Sequence, residues 1–279
     1  MEFIEFAPAK INLFLDIISK RTDGYHNLGT AFQTIGVGDT LRASLDSDSK
    51  ITLQYSEAQA YPVEDDLVYK AALLLQKKMN VKQGAKLFLE KKLPIGAGLG
   101  GGSADAAAAF RLLNKLWALN LSHQDLETLS LSLGADIPFL VQGGFAFAEG
   151  IGEKLTPKPV NPFLKDFTLL LATPHCFVPT KIAYSKASVS GEMRWKQWKN
   201  SFFSNNLPEL YNKFEESVFL EFPEIQKLKE LFIKEGALGA LMSGSGSTVF
   251  AFFEHSKAAE KVLNKYKNQW RWSALTNFY

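Results

Sequence analysis

The stretch L-P-I-G-A-G-L-G-G-G-S-A-D-A-A-A-A, residues 93–109, places five glycines between a proline and an alanine-rich run. Glycine has no Cβ and adopts positive φ readily, so this stretch can fold tightly with its backbone N–H groups pointing inward. Ser103 is a residue type that caps helix N-termini, and Asp105 then falls in the first turn. The apolar residues that follow keep helical spacing. The sequence therefore predicts a glycine loop that leads directly into a helix.

The junction between that loop and its helix is a predicted anion site. The first N–H groups of a helix lack intrahelical partners, and the positive end of the helix dipole lies at the same place. Both features favour a phosphate group. The alternative is a glycine-rich turn selected only for close packing, but five glycines within residues 93–102 favour the phosphate interpretation.

The composition predicts a folded, soluble protein with one large domain or two of ordinary size, since 46% of its 279 residues are hydrophobic. Lys and Arg number 31 against 29 Asp and Glu, and this net charge of +2 indicates neither a nucleic-acid partner nor an anionic membrane. Cys176 is the only cysteine, which excludes an internal disulfide and favours a reducing compartment. We find no signal peptide and no apolar run of about twenty residues, so we expect a cytoplasmic protein.

The order of predicted elements is typical of an α+β protein. Before the glycine loop, the pattern predicts a helix capped by Asp66 and strands at 2–7, 11–19, 31–37, 40–46, 51–55 and 85–90, with Pro8 either separating or bending the first two. After the loop, Ser122 and Asp125 predict a capping box, and residues 143–149 predict a strand.

The last part of the chain reads as a separate layer. Prolines at 157, 159 and 162 crowd one segment, so we place a domain boundary between residues 156 and 157. Residues 167–278 predict strands and helices in the order β-α-β-β-α-β, interrupted by a polar insert at 188–206 that contains a short helix.

Two common nucleotide motifs fit the glycine loop poorly. Gly96, Gly98 and Gly101 match G-x-G-x-x-G, but the acidic residue of a dinucleotide fold, about twenty positions later, is missing. A Walker loop needs a lysine, and this loop ends in Gly102-Ser103. A second loop, M-S-G-S-G-S at 242–247, is compatible with either a hairpin turn or a second backbone wall for a phosphate.

Single polar residues are ambiguous when each is considered alone. Lys10 at a strand start is typical of a solvated strand end whose aliphatic stem covers apolar surface. Asp136, directly after a predicted helix, is typical of a residue that accepts hydrogen bonds from nearby backbone N–H groups. Local reasoning therefore assigns neither of them to a reaction.

Several separated blocks, in the same order, give these residues a context. The blocks are P-A-K-I-N-L-F-L at 8–15, D-G-Y-H-N-L at 23–28, the glycine loop, and M-S-G-S-G-S-T-V-F at 242–250. Together they resemble the signature motifs of the GHMP small-molecule kinases. The resemblance implies a two-domain α+β fold, with an S5-like β-α domain over residues 1–156 and a ferredoxin-like domain over 157–279. It also implies ATP as phosphoryl donor and Mg²⁺ as cofactor.

The resemblance also implies roles for particular residues, whereas the ligands of Mg²⁺ stay unassigned. The catalytic pair corresponds to Lys10 and Asp136. The ATP phosphate loop corresponds to Pro94, Ile95, Gly96, Ala97, Gly98, Leu99, Gly100, Gly101, Gly102, Ser103 and Ala104. The substrate contacts correspond to Asn12, Tyr25, His26, Thr180 and Tyr184. One position departs from the family pattern, since Asp66 stands where the family usually has an asparagine near the adenine.

The blocks K-R-T-D-G-Y-H-N-L at 20–28 and L-G-A-D-I-P-F at 133–139 narrow the resemblance. They imply transfer of the γ-phosphoryl group of ATP to the 2-hydroxyl of a small molecule, a cytidine diphosphate-linked methylerythritol of the non-mevalonate isoprenoid pathway. The alternative within the family is a kinase for mevalonate or homoserine. Alternatives outside it are a dinucleotide-dependent oxidoreductase and an RNA-binding protein, and the near-neutral charge disfavours the latter. We expect no nucleic-acid or membrane partner, and either a monomer or a homodimer.

Overall fold

The structure, a computed structural model, describes residues 2–57, 59, 61–204 and 206–279. The chain divides into two compact units. The first unit comprises Met1–Lys10, Gly38–Ile95 and Gly100–Gly143, and the second comprises Ile11–Val37, Gly96–Leu99 and Gly144–Tyr279. No helix within the described ranges is long and apolar enough to cross a membrane.

The described residues form both strands and helices, as an α+β protein requires. The strands are β1 (Glu2–Lys20), β2 (His26–Asp46), β3 (Ile51–Tyr55), β4 (Gly84–Glu90), β5 (Phe145–Gly150), β6 (Lys154–Lys158), β7 (Thr168–Thr173), β8 (Tyr211–Asn212), β9 (Gly239–Met242), β10 (Val249–Phe253) and β11 (Trp272–Thr276). The α-helices are α1 (Leu67–Lys78), α2 (Gly101–Leu116), α3 (His123–Ser130), α4 (Ile137–Gln142), α5 (Thr180–Lys186), α6 (Met193–Ser201), α7 (Glu215–Glu221), α8 (Pro223–Lys234) and α9 (Ser256–Tyr266).

In the first unit, β4 lies between β3 and the C-terminal part of β2. Strand β4 pairs in parallel with β3, where Leu87 lies opposite Leu53. It pairs in antiparallel orientation with β2, where Leu87 lies opposite Ala43. Helix α2 packs against both α1 and α4. Its four consecutive alanines at 106–109 are fully buried, and such small side chains let neighbouring helices approach closely. The alanine run therefore sets how near the helix after the glycine loop lies to its neighbours.

The second unit contains a four-stranded antiparallel sheet in the order β11-β7-β10-β9. Helix α8 contacts β9 and β10, and helix α9 contacts β7 and β11. Along the chain this layer reads β7-α8-β9-β10-α9-β11, which confirms the predicted β-α-β-β-α-β order. Every residue of β10 is buried, so this inner strand forms part of the core of the layer.

The same unit includes a β-hairpin and the 188–206 insert. Strand β5 pairs with the N-terminal part of β2 and with β6, and β8 pairs in parallel with β1, Phe14 opposite Tyr211. The insert carries α6, whose Trp195 and Trp198 are buried, with ring centroids 5.5 and 4.8 Å from that of Phe14. The insert was predicted as a polar segment with a short helix, and that helix packs two tryptophan rings against Phe14 of β1.

Three local predictions were wrong. Pro8 does not separate two strands but lies inside β1, because the fixed φ of proline is compatible with an extended backbone. The predicted strands 31–37 and 40–46 are parts of one strand, β2. Helix α2 begins at Gly101 with Gly100 as its N-cap, so Ser103 is not the capping residue and Asp105 is not in the first turn.

The proposed domain boundary between residues 156 and 157 remains a prediction. Pro157 lies in β6, opposite Ala146 of β5, so the proline-rich segment begins as a hairpin strand. The two compact units do not correspond to one cut in the chain. Each unit contains several stretches of the chain, and both include parts of β1 and β2.

Candidate active site

The predicted catalytic pair comes together in the first unit. Lys10 lies in β1 and is 5% exposed, and its Nζ lies 3.4 Å from Oδ2 of Asp136. Asp136 directly precedes α4, and its side chain is 34% exposed. Pro138, in the first turn of that helix, has a fixed φ that suits this position. The pair therefore offers a buried cation beside a carboxylate that a ligand can reach.

The glycine loop follows β4 and has three left-handed residues. The φ angles of Gly96, Gly98 and Gly100 are +65°, +80° and +69°, a region that residues with a Cβ rarely adopt. The two residues between them, Ala97 and Leu99, are buried. The loop thus alternates apolar anchors with sharp turns, which is why glycines recur at every second position.

The end of the loop lies against Lys10. A Cβ placed on Gly100 would be 3.1 Å from Cγ of Lys10 and 3.2 Å from its Cε. The next residue begins α2, and the N–H of Ala104 donates to the carbonyl oxygen of Gly100 at 2.8 Å. Within the first unit, the N-terminus of α2 and the Lys10–Asp136 pair are therefore neighbours.

The earlier part of the loop is held by the second glycine–serine loop. Ser243 donates through Oγ to the carbonyl oxygen of Gly98 at 2.9 Å, and the N–H of Thr248 donates to the carbonyl oxygen of Ala97 at 3.1 Å. This second loop, residues 243–248, connects β9 to β10, so it is the turn of a hairpin. It also fixes two carbonyl groups of the first loop, a role that sequence reasoning had not identified.

Sequence reasoning also missed a buried ion cluster of Lys91, Asp39 and Asp105 at the start of the loop. Lys91 Nζ lies 2.5 Å from Asp39 Oδ2 and 2.6 Å from Asp105 Oδ2. Asp39 Oδ1 accepts hydrogen bonds from the backbone N–H groups of Lys92 and Leu93 at 2.5 and 2.8 Å. The cluster therefore fixes the end of β4, the start of the loop and α2 relative to one another.

Burial and the neighbouring charges shift the pKa values of Asp105 and Lys91. Burial raises the pKa of Asp105, and Lys91 opposes that shift. For Lys91, burial acts to lower the pKa, but the carboxylates of Asp105 and Asp39 raise it overall. Because Asp39 and Lys91 lie far apart in sequence and neither stands in a distinctive local pattern, no sequence signal could have joined them to Asp105.

Asp66 caps α1, as predicted. Its Oδ1 accepts from the N–H of Val68 at 2.7 Å, and its Oδ2 accepts from the hydroxyls of Tyr55 and Tyr61 at 3.1 and 3.0 Å. Burial and the Asp66 carboxylate together raise the pKa of Tyr61 to about 12. Both carboxylate oxygens thus already have partners, which weakens the expectation of an adenine contact at this position.

Two predicted substrate residues of the second unit are tied to its backbone and loops. The Asn12 side chain is buried and donates to Thr30 Oγ1 at 2.8 Å, and Thr30 donates in turn to the carbonyl oxygen of Phe14 at 2.6 Å. Thr180 begins α5, and its Oγ1 lies 3.0 Å from Oγ of Ser245 in the second glycine–serine loop. Both side chains are thus held in defined orientations.

The predicted aromatic residues are only partly brought together. The rings of His26 and Tyr184 stack with centroids 5.4 Å apart and an interplanar angle of 29°. Burial and then Lys20 lower the pKa of His26, so its imidazole is neutral at neutral pH. Tyr25 is 59% exposed, and its N–H donates to Asp23 Oδ1 at 3.1 Å. Of the predicted residues, His26 therefore stacks on Tyr184, whereas the Tyr25 side chain is exposed.

Comparison with known proteins identifies the family. Residues 66–144 match the GHMP kinases N terminal domain, and residues 192–271 match the GHMP kinases C terminal domain. The chain is similar to the 4-diphosphocytidyl-2-C-methyl-D-erythritol kinase of Exiguobacterium sibiricum, with 38% identity over 95% of this chain and 93% of that protein. It is 39% identical to the kinase of the same name from Clostridium tetani, over 95% of each chain.

A solved structure agrees with these relatives. The crystal structure of a 4-(cytidine 5'-diphospho)-2C-methyl-D-erythritol kinase superposes with a TM-score of 0.84 at 31% identity and covers 99% of both chains. The predicted fold class is thereby confirmed. The chain belongs to the GHMP kinase family and, within it, to the 4-diphosphocytidyl-2-C-methyl-D-erythritol kinases.

Proposed function

We propose that this ATP-dependent kinase transfers the γ-phosphoryl group of ATP to the 2-hydroxyl of 4-diphosphocytidyl-2-C-methyl-D-erythritol. One observation carries the proposal: the N-terminus of α2, an anion site, lies beside the Lys10–Asp136 pair. A phosphate donor and an acceptor hydroxyl can then be held next to each other. Positioning of this kind accounts for much of the catalysis of phosphoryl transfer.

In the proposed mechanism, Asp136 accepts or orients the proton of the acceptor hydroxyl. Lys10 orients the Asp136 carboxylate and offsets the negative charge that develops on the attacking oxygen. Because phosphoryl transfer has a loose transition state, the carboxylate contributes mainly by aligning the hydroxyl. The proton therefore moves late, when the bond to the leaving phosphate is already weakened.

The phosphates of ATP are assigned to the backbone of residues 94–104. The free N–H groups in the first turn of α2 and the positive end of its dipole supply the attraction. Mg²⁺ usually takes oxygen ligands from substrate phosphates, water and one or two protein side chains. This agrees with the described residues, which contain no group of three or more metal-binding side chains. The hydroxyl of Ser103 would supply such a ligand, and the ion would neutralise phosphate charge.

The cytidine end of the substrate is assigned to Tyr25, His26 and Tyr184. Aromatic faces stack on a nucleobase, and a neutral imidazole can both donate and accept a hydrogen bond at the base edge. The polar groups of Asn12 and Thr180 are assigned to the rest of the substrate. We further propose a cytoplasmic enzyme, monomeric or homodimeric, with no nucleic-acid partner.

The alternative is a GHMP kinase for mevalonate or homoserine, and these alcohols have no base for the aromatic residues to bind. A coupled ADP-release assay with each of the three alcohols distinguishes the two functions. We expect kcat/KM for the cytidylylated alcohol to exceed the kcat/KM values for mevalonate and homoserine by more than a hundredfold. Equal or higher turnover of mevalonate or homoserine would refute the proposed substrate, and omission of Mg²⁺ should abolish turnover in every case.

A further inference from the structure

Arg111 in the middle of α2 binds two other elements of the first unit. Its Nη1 donates to the carbonyl oxygen of Leu140 at 2.6 Å, and its Nη2 donates to the carbonyl oxygen of Phe6 at 3.0 Å. Its Nε donates to Glu5 Oε1 at 2.7 Å. The Arg111 and Glu5 side chains are each only 15% exposed. One guanidinium group thus connects α2 to α4 and to β1.

The contact with α4 lies at the end opposite the catalytic carboxylate. Leu140 and Val141 are in the last turn of α4, where carbonyl oxygens have no later N–H group of the helix to accept from. Arg111 supplies that donor, and its charge is favourable at a helix C-terminus. The helix of six residues is about 9 Å long, so a change of tilt at its C-terminal end moves Asp136 at the other.

The contact with β1 lies on the strand that carries the catalytic lysine. Glu5 and Phe6 precede Lys10 by five and four residues in the same strand. At about 3.3 Å per residue, Lys10 lies roughly 13 Å from the Phe6 contact along a stiff extended segment. A shift of the strand at Phe6 is therefore transmitted to Lys10.

We propose that Arg111 is a positioning residue that sets the separation of Lys10 and Asp136. Arg111 lies on α2, whose N-terminus is beside that pair. Its side chain therefore connects the helix of the proposed phosphate site to the strand that carries Lys10 and to the helix that follows Asp136. The planar fork of arginine is suited to this, because it directs several N–H donors in fixed directions at once. This inference rests on the proposed roles of Lys10 and Asp136.

A purely stabilising role is the alternative, and Lys115 provides a matched control. Lys115 lies on the same helix, and its Nζ binds the other oxygen of the same carboxylate, Glu5 Oε2, at 2.8 Å. Together Arg111 and Lys115 lower the pKa of Glu5 against the opposing effect of burial. Lys115→Met removes one cation from Glu5 but leaves the α4 and Phe6 carbonyl contacts intact.

The test compares Arg111→Met, Arg111→Lys and Lys115→Met at a temperature where circular dichroism shows each variant folded. We expect Arg111→Met to lower kcat about ten- to a hundredfold, the range that a displacement near 1 Å produces, with KM for ATP within threefold. The kcat of Arg111→Lys should stay at least fivefold below that of the parent, since one ammonium group cannot donate to both α4 and β1. The kcat of Lys115→Met should remain within twofold of the parent value. A parent-like kcat in either Arg111 variant, or an equal loss in Lys115→Met, would overturn the proposal.

A double-mutant cycle separates positioning from a general loss of folded enzyme. If Arg111 acts through Asp136, then Arg111→Met should reduce the residual kcat of Asp136→Asn by less than threefold. Full additivity of the two effects would overturn the inference. Failure of the proposed function is a separate outcome, in which the parent enzyme does not phosphorylate the cytidylylated alcohol. The kcat values of the variants are then measured with the alcohol that the parent does phosphorylate.

Discussion

Replacing Gly98 by alanine tests whether the conformation of the glycine loop creates the ATP site. Gly98 has a φ of +80°, and a Cβ added there would overlap the carbonyl oxygen of Ser243 and lie 3.0 Å from that of Gly246. The left-handed conformation alone costs an alanine roughly 1–2 kcal/mol. A backbone carbonyl, unlike the end of a long side chain, has little freedom to move aside. The variant loop must therefore either remain strained or change shape.

The size of the effect follows from those two outcomes. If the loop changes shape, its N–H groups leave the positions proposed to bind the phosphates, and a loss of about 2 kcal/mol in nucleotide binding raises KM for ATP roughly thirtyfold. If the loop keeps its shape, the same free energy appears as a lower Tm. We therefore expect the losses in nucleotide binding and in the free energy of unfolding to total at least about 2 kcal/mol.

Gly101→Ala is the matched control. Gly101 begins α2, and the atoms nearest to an added Cβ would be Leu93 Cβ and Cδ1, both at 3.5 Å, an ordinary contact. Alanine in place of glycine within a helix is favourable by roughly 0.5–1 kcal/mol. We expect a KM for ATP within twofold of the parent and a Tm that does not fall.

The measurements are KM for ATP in a coupled ADP-release assay at saturating alcohol, and Tm by differential scanning calorimetry. Unchanged KM and unchanged Tm in Gly98→Ala would refute the argument from loop conformation. A loss of ATP binding in Gly101→Ala as large as that in Gly98→Ala would show that the loop needs small residues generally and not a left-handed backbone at position 98.

Three further predictions concern Asp136 of the Lys10–Asp136 pair and the aromatic residues Tyr25 and His26. Asp136→Asn should lower kcat at least about a hundredfold with little change in KM for ATP, measured by steady-state kinetics, because the role proposed for the carboxylate is in the chemical step; near-parent turnover by a folded variant would remove it from the mechanism. Tyr25→Ala should raise KM for the cytidylylated alcohol about five- to a hundredfold, Tyr25→Phe much less, with KM for ATP unchanged, since stacking on a base contributes roughly 1–3 kcal/mol; an altered Tm with both KM values unchanged would assign Tyr25 to its turn. The folded-state pKa of His26 is lowered from its ordinary value of 6.5, so the unfolded chain binds the proton first as the pH falls. Tm should therefore decline as the pH is lowered through 6.5 toward the folded-state pKa, more steeply than in His26→Gln, and identical Tm profiles for the two proteins would contradict the shift.

The features that the sequence predicted correctly depend on neighbours along the chain. The β-α-β-β-α-β order, the cap of α1 by Asp66 and the capping box of Ser122 with Asp125 all follow from short-range periodicity and turn chemistry. The glycine loop before α2 was also recognisable, because positive φ at Gly96, Gly98 and Gly100 requires a residue type that the sequence displays. Lys10 and Asp136 were matched to each other only through the family motifs.

What the sequence left open was decided by contacts between distant segments. Gly100 and not Ser103 caps α2, because the left-handed turn of the loop places the start of the helix three residues earlier than the cap preference suggests. The cluster of Lys91 with Asp39 and Asp105, and the bridge that Arg111 makes to Phe6 and Leu140, join residues from 14 to 105 positions apart. Charge pairing and carbonyl capping at such separations follow from how the elements pack, so the order of residues along the chain holds no local signal for them. The sequence by itself determined the elements and the loop chemistry, whereas tertiary packing decided which side chains meet.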